Sequence, residues 1–173
     1  MATAELRAVG LLKAQRGQDL NLLAGQLYFG DQATVVRTLL GSCVGITLWH
    51  PRRRVGGMCH FLLPQRSRDS GTTRDGRFGD EALEILVESL LRIGTRPAEY
   101  DAHLYGGADA IPDTAKVKLN IGERNIEKGW ALIEHYGFQL RNVDVGDRVP
   151  RTVQLSLADG AVLMRRGASI GRA

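Results

Sequence analysis

One cysteine and one histidine stand seventeen positions apart in "LGSCVGITLWHPRRRVGGMCHFLLP", Leu40 to Pro64. Cys43 follows Gly41 and Ser42, and His60 follows a second cysteine, Cys59. A thiol beside an imidazole can carry out acyl transfer. The imidazole takes the thiol proton, sulfur attacks a carbonyl, and the proton is returned to the leaving group. The oxyanion that forms needs donors, and a tight Gly41-Ser42-Cys43 turn can offer backbone N–H groups to it. An imidazolium close by would also lower the thiol pKa. The plainer alternative is a cysteine that only packs, because free cysteine is among the most buried residue types.

The elements on either side must bring the two groups together. Cys43–Trp49 and Val55–Leu63 both read as strands, with Val44, Ile46 and Leu48 on one face and Cys43, Gly45 and Thr47 on the other. A hairpin closed through His50–Arg53 sets Cys43 directly opposite His60, with Cβ atoms roughly 4.5–5.5 Å apart. An odd-length loop or a bulge would break that pairing. Cys59 falls on the other face with Gly57 and Phe61 and reads as a packing residue. A Cys43–Cys59 disulfide is not expected in a reducing cytosol.

The chain of 173 residues can bury a core without staples, and 43% hydrophobic with 24% charged residues is an ordinary globular composition. No apolar run approaches a membrane span, and "MATAELRAVGLLKAQRG" has no clean apolar signal region. The expectation is a cytoplasmic protein without membrane insertion. The net charge is +4. Its basic residues are scattered without interleaved aromatics, so a solvated surface is favoured over a nucleic-acid partner.

Residues 1–24 read as a weakly structured lead-in or a short helix around Ala4 to Lys13, and 25–173 as one domain. A long polar loop follows Leu63. Its Arg66, Arg68, Arg74 and Arg77 could border a substrate groove and meet acidic partner helices. Asp80 reads as the N-cap of a helix with Leu83, Leu86, Val87, Leu90 and Leu91 as its stripe. A second helix is expected from about Asn125 to Gly137, with Ile126, Trp130 and Ile133 inward. Strands are expected near Ala98–Tyr105, Gln139–Asp144, Arg151–Leu157 and Ala161–Arg165, the last two joined by a hairpin through "ADG". The fold class is mixed α/β: packed β-sheets with antiparallel hairpins, flanked by two or three helices.

Other chemistries find less support. "GSCVG" satisfies the Gly-x-nucleophile-x-Gly elbow, but that elbow needs a helix after it, and "CVGITLW" reads as a strand. His50 falls in the turn, and His103 and His135 have no partner visible in the sequence. With no Cys/His/Asp spacing for a metal and no Walker-type phosphate loop, neither a metal nor any other cofactor is expected.

"TLLGSCVGITLWHP" and "VGGMCHFLLP", followed in order by "RFGDEALEILVESLLRIG", "HLYGGADA", "NIGERN" and "VDVGDRVPRTVQL", resemble the CheD family of chemoreceptor glutamine deamidases. The resemblance runs from about Gly25 onward. It implies Cys43 as nucleophile, His60 as its proton partner and Thr38, five residues before the cysteine, as a third catalytic residue. Some members place the threonine six residues before, where this chain has Arg37. The implied reaction converts glutamines of methyl-accepting chemotaxis receptors to glutamate, with receptor methyl-ester hydrolysis as a related activity. The resemblance also implies a CheC-type phosphatase as partner. A module that mainly binds that phosphatase or a receptor is the alternative. Two positions depart from the family's usual pattern: His103 where lysine is common, and Asp147 where glycine is. Gly106, Gly107 and Asn125 match its motifs and read first as turn and cap residues and second as walls of the site.

Overall fold

The computed structural model describes residues 8–67, 73–110 and 120–168. In chain order the strands are β1 (Ala8–Val9), β2 (Asp19–Leu22), β3 (Leu27–Gly30), β4 (Val35–Leu40), β5 (Val44–His50), β6 (Val55–Phe61), β7 (Arg74–Asp75), β8 (Asp101–Gly106), β9 (Gln139–Val145), β10 (Arg151–Ser156) and β11 (Val162–Arg166). The helices are α1 (Gly79–Arg92) and α2 (Ile121–Tyr136), with one 3₁₀ turn at Pro97–Glu99.

Three layers result. A four-stranded sheet, ordered β11-β10-β4-β2, faces a five-stranded sheet ordered β3-β6-β5-β8-β9. The space between them is filled by Leu20, Leu22, Val36, Leu40, Val153 and Leu155 from the first sheet and by Tyr28, Trp49, Met58 and Tyr105 from the second. The far face of the five-stranded sheet presents Val44, Ile46, Leu48, Cys59 and Phe61 to α1 and α2. Every residue of β5 and β6 is therefore buried, because both faces of these central strands are covered. The expected α/β architecture of packed sheets and flanking helices is what forms.

The hairpin β5–β6 differs from the expected one in register. Its loop is Pro51–Arg54, so His50 pairs with Val55 and Gly45, not Cys43, stands opposite His60. The turn closes through Arg54 N–H donating to the His50 carbonyl at 2.8 Å, with Arg54 in the left-handed region at φ 53°. His50 Nδ1 accepts from the Arg52 and Arg53 N–H groups inside it. The slip is two residues, and side chains alternate with period two, so Cys43 keeps its place on the His60 side of the sheet.

The N-terminal segment is more structured than expected. Over its described residues the helix around Ala4 to Lys13 does not form, and Ala8–Val9 pair parallel to β7 instead. β2 pairs parallel to β4, and its Leu20 and Leu22 are buried in the inter-sheet core. Residues 19–22 thus belong to the folded body.

Both helices start away from their expected caps. α1 begins at Gly79 behind Phe78, which gives no side-chain cap. Asp80 lies inside the first turn, where its carboxylate suits the helix dipole. α2 begins four residues before Asn125, capped by Asn120, whose side chain accepts from the Glu123 N–H. It ends at Gly137 as expected, in the left-handed conformation. Its buried face is Gly122, Asn125, Gly129, Leu132 and Ile133, so Trp130 points outward and is 43% exposed. The small residues let the helix sit close to the sheet: a Cβ on Gly129 would lie 2.6 Å from a Leu104 methyl.

Candidate active site

Cys43 lies just before β5, at the edge where β4 and β6 end and β5 and β8 meet. Thr38 comes from β4 and is fully buried; His60 comes from β6 and is 4% exposed. They meet across the two sheets: Thr38 Oγ1 and His60 Nδ1 are 2.6 Å apart. Thr38 Oγ1 also donates to the Leu22 carbonyl at 2.8 Å. A hydroxyl has one hydrogen. Since Leu22 O can only accept, Thr38 must accept from His60, which places the ring proton on Nδ1. Nε2 is left with its lone pair. That is the tautomer a general base needs. Arg37, one position earlier, faces the other way, with its guanidinium on Gln154.

Cys43 is half-buried and sits two positions along from Gly45, which pairs with His60. Diagonal neighbours of this kind share a face with Cα atoms roughly 7–8 Å apart, within reach of longer side chains. Burial raises the Cys43 thiol pKa and lowers that of His60 to about 4. At neutral pH the resting pair is therefore a thiol and a neutral imidazole. The imidazolium that was expected to lower the thiol pKa is absent at rest. Cys59 is fully buried on the helix side, and burial pushes its thiol up to about 12, as befits a packing residue.

The Gly41-Ser42-Cys43 turn is held from behind. The Gly41 carbonyl accepts from Ala108 N–H at 2.9 Å and the Cys43 carbonyl from Gly107 N–H at 2.8 Å. Gly106 and Gly107, at φ 107° and 70°, make the turn that supplies these donors. A Cβ on Gly106 would fall 2.3 Å from the Cys43 carbonyl oxygen, so the approach requires glycine. The Ser42 carbonyl accepts from Asn125 Nδ2 at 3.2 Å. Gly41 is different: an added Cβ there meets nothing within 4 Å, which leaves open space two residues before Cys43.

Beyond Gly106 lies a charged wall. Arg151 is fully buried and donates through Nε to Asp144 at 2.7 Å. Burial raises the Asp144 pKa, but the Arg151 and Arg166 guanidiniums outweigh it and hold the carboxyl low. Asp147, where glycine was expected from the resemblance, has φ 56° and pairs with Arg166 at 2.9 Å. His103 shares its Nδ1 with Tyr105 Oη at 2.8 Å. His50 works within its turn and His135 stacks edge-on against Tyr136; none of these three joins Cys43.

The arginines of the polar loop are occupied. Arg66 holds Glu81 with two nitrogens at 2.6 and 2.8 Å, Arg74 holds Glu88 at 2.6 Å, and Arg77 holds Asp75 at 2.9 Å. Arg68 lies outside the described residues. No group of three or more His, Cys, Asp or Glu side chains that could hold a metal occurs among the described residues. No described helix is long and apolar enough to cross a membrane.

One contributor was not anticipated. Leu22 acts through its main chain, which no side-chain pattern marks. Asn125, expected first as a cap and second as a site wall, lies within α2 on the same buried face as Gly129, Leu132 and Ile133.

Fold and site together define an α/β domain in which a threonine and a histidine meet between two packed sheets, with a half-buried cysteine on the same face of the central sheet. The model of the CheD family, described as CheD chemotactic sensory transduction, matches residues 62–166. The chain belongs to the CheD family. It is 42% identical over 80% of its length to "Probable chemoreceptor glutamine deamidase CheD 3" of Dechloromonas aromatica, covering 81% of that protein. "Probable chemoreceptor glutamine deamidase CheD 1" of Chromobacterium violaceum is 40% identical over 87% of this chain and 78% of that one. The relative named "Probable chemoreceptor glutamine deamidase CheD" in Thermococcus kodakarensis is 35% identical over 73% of this chain and 79% of that one. Among solved structures, Bacillus licheniformis YfiH overlaps at a TM-score of 0.38 with 13% identity, over 83% of this chain and 65% of that one.

The buried imidazole has a consequence for stability. A His60 that resists protonation when folded, but protonates near the ordinary 6.5 when unfolded, lets acid favour the unfolded chain. Its contribution is intact above pH 6.5 and is lost as pH falls toward about 4. At 1.36 kcal/mol per pKa unit the loss approaches about 3 kcal/mol. His103 is lowered in the same direction by burial, so the share of His60 is read as a difference. Urea unfolding at pH 7 and pH 4.5 should show wild type losing more stability than His60→Gln. Equal losses would contradict the burial argument.

Proposed function

We propose that this protein is a protein-glutamine deamidase acting on chemotaxis receptors, with Cys43 as nucleophile, His60 as proton carrier and Thr38 as the residue that orients His60. The observation that carries the reading is the chain Leu22 carbonyl, Thr38 hydroxyl, His60 Nδ1–H. It leaves the Nε2 lone pair free, on the same side of the sheet as the one half-exposed thiol.

Starting from a neutral pair, the proton moves as the bond forms. Sγ of Cys43 attacks the glutamine side-chain carbonyl carbon while Nε2 of His60 takes the thiol proton. The carboxamide oxygen becomes an oxyanion, stabilised by backbone N–H groups of the Gly41-Ser42-Cys43 turn. Collapse expels ammonia, which receives its proton from His60, and leaves a thioester. Water, deprotonated by the same Nε2, attacks the thioester; the thiol is regenerated and the product is glutamate. A methyl ester passes through a similar intermediate with methanol leaving, so receptor methyl-ester hydrolysis is the natural side activity. A CheC-type phosphatase is the regulatory partner that the family resemblance supports.

The test is mass spectrometry of a chemoreceptor cytoplasmic fragment incubated with wild type, Cys43→Ala, Cys59→Ala and His60→Ala. Glutamine-to-glutamate conversion by wild type and Cys59→Ala only supports the reading. No conversion by wild type on any cognate receptor overturns it.

A further inference from the structure

We propose that Asn125 is a positioning residue, whose carboxamide aims the Cys43 backbone N–H at the oxyanion. The inference rests on the deamidase reading and adds a component to its site.

Asn125 is fully buried on the inner face of α2. Its Nδ2 donates to the Leu62 carbonyl at 2.8 Å and to the Ser42 carbonyl at 3.2 Å. Both partners are acceptors, so the amide group has only one sensible orientation. Its Oδ1 is then left buried without a hydrogen-bond partner. An unsatisfied buried acceptor is destabilising, and a small apolar residue would avoid it. A polar group kept at such a cost is best explained by what it holds.

What it holds are the two segments that carry the chemistry. Ser42 directly precedes the nucleophile, and Leu62 follows His60 by two residues. One carboxamide thus fixes the nucleophile turn against the end of the histidine strand. The peptide between Ser42 and Cys43 is trans, since the described chain has no cis bond. In a trans peptide the N–H points opposite to the C=O. Drawing the Ser42 carbonyl toward α2 therefore turns the Cys43 N–H away from α2. The peptide before it is fixed in the same manner by Ala108 and the one after it by Gly107. Only the middle carbonyl of the three is held by a side chain, so only this one can be released by substitution.

Removing an oxyanion donor costs on the order of 10²–10³ in kcat. Asn125→Ala should lower kcat for receptor-fragment deamidation by about 10²-fold with KM unchanged. Alkylation of Cys43 by iodoacetamide displaces iodide and forms no oxyanion, so its rate should stay close to wild type. A role confined to general packing would slow both in step. Asn125→Ser carries the same readings should the alanine variant fail to fold. An activity-independent measurement accompanies these: the ¹⁵N–¹H cross-peaks of Ser42 and Cys43 should shift or broaden in either variant. A kcat drop with preserved alkylation and displaced cross-peaks supports the proposal. Unchanged kcat, parallel loss of alkylation, or unchanged cross-peaks overturns it. If wild type itself converts no glutamine, the deamidase reading falls and the cross-peaks alone decide whether Asn125 sets the turn.

Discussion

Cys43→Ala is expected to lower glutamine conversion by at least about 10⁴-fold, because the reaction loses the atom that forms the covalent intermediate. Cys59→Ala is expected to remain active. The two thiols differ in place, not in kind. Cys43 sits half-open at the mouth of the turn, whereas Cys59 is sealed between the central sheet and the helices. Trimming Cys59 leaves a small void and costs about 1 kcal/mol, which for a chain of this size shifts Tm by about 2–4 °C. Iodoacetamide should label Cys43 alone in the folded protein. The same comparison separates an enzyme from a binding module. A module would still capture its receptor after Cys43→Ala and would show no conversion before it. Conversion that survives Cys43→Ala would remove Cys43 from the mechanism.

Thr38→Val should lower kcat by about 10²-fold or more, while Thr38→Ser should stay within about tenfold of wild type. Valine matches threonine in shape but not in the hydroxyl. Without it the His60 Nδ1–H is buried with no acceptor, and the Leu22 carbonyl loses its donor. The ring can then carry its proton on Nε2, where it can no longer accept from sulfur. Two measurements check this. Steady-state rates give the loss, and ¹⁵N chemical shifts of the imidazole report which nitrogen is protonated. A Thr38→Val enzyme with wild-type kcat would show that the threonine only fills space. Proton placement then would have to come from elsewhere.

The residues of the candidate site were more legible in the sequence than the elements that hold them. Side-chain parity in β5 and β6 put Cys43 on the His60 face and Cys59 on the other, and the structure keeps both assignments. The register slipped because the turn closes on Arg54 in the left-handed region, a conformation its type does not announce. The slip was harmless only because it was even. Trp130 was placed inward because it is the large apolar residue of its segment. The buried stripe of α2 is instead glycine and asparagine, chosen for closeness, and hydrophobic periodicity cannot see such a stripe. β2 was missed because four residues, Asp-Leu-Asn-Leu, are too few to establish a period of two. Its parallel pairing with β4 is a long-range contact that local pattern does not encode.

That short strand has a larger part than its length suggests. β2 is the edge of its sheet, and its last carbonyl is the fixed pole of a two-position proton switch. The Thr38–His60 hydrogen bond can run in either sense. With the Leu22 carbonyl in place, threonine accepts and the imidazole keeps its Nε2 lone pair. With that carbonyl removed, threonine is free to donate to Nδ1, and the ring proton moves to Nε2. A chain begun at Gly25 would keep Cys43, His60 and Thr38, yet the direction of the Thr38–His60 hydrogen bond would no longer be set. The direction of the Thr38–His60 hydrogen bond thus depends on a main-chain oxygen, contributed from outside the stretch in which all three side chains lie.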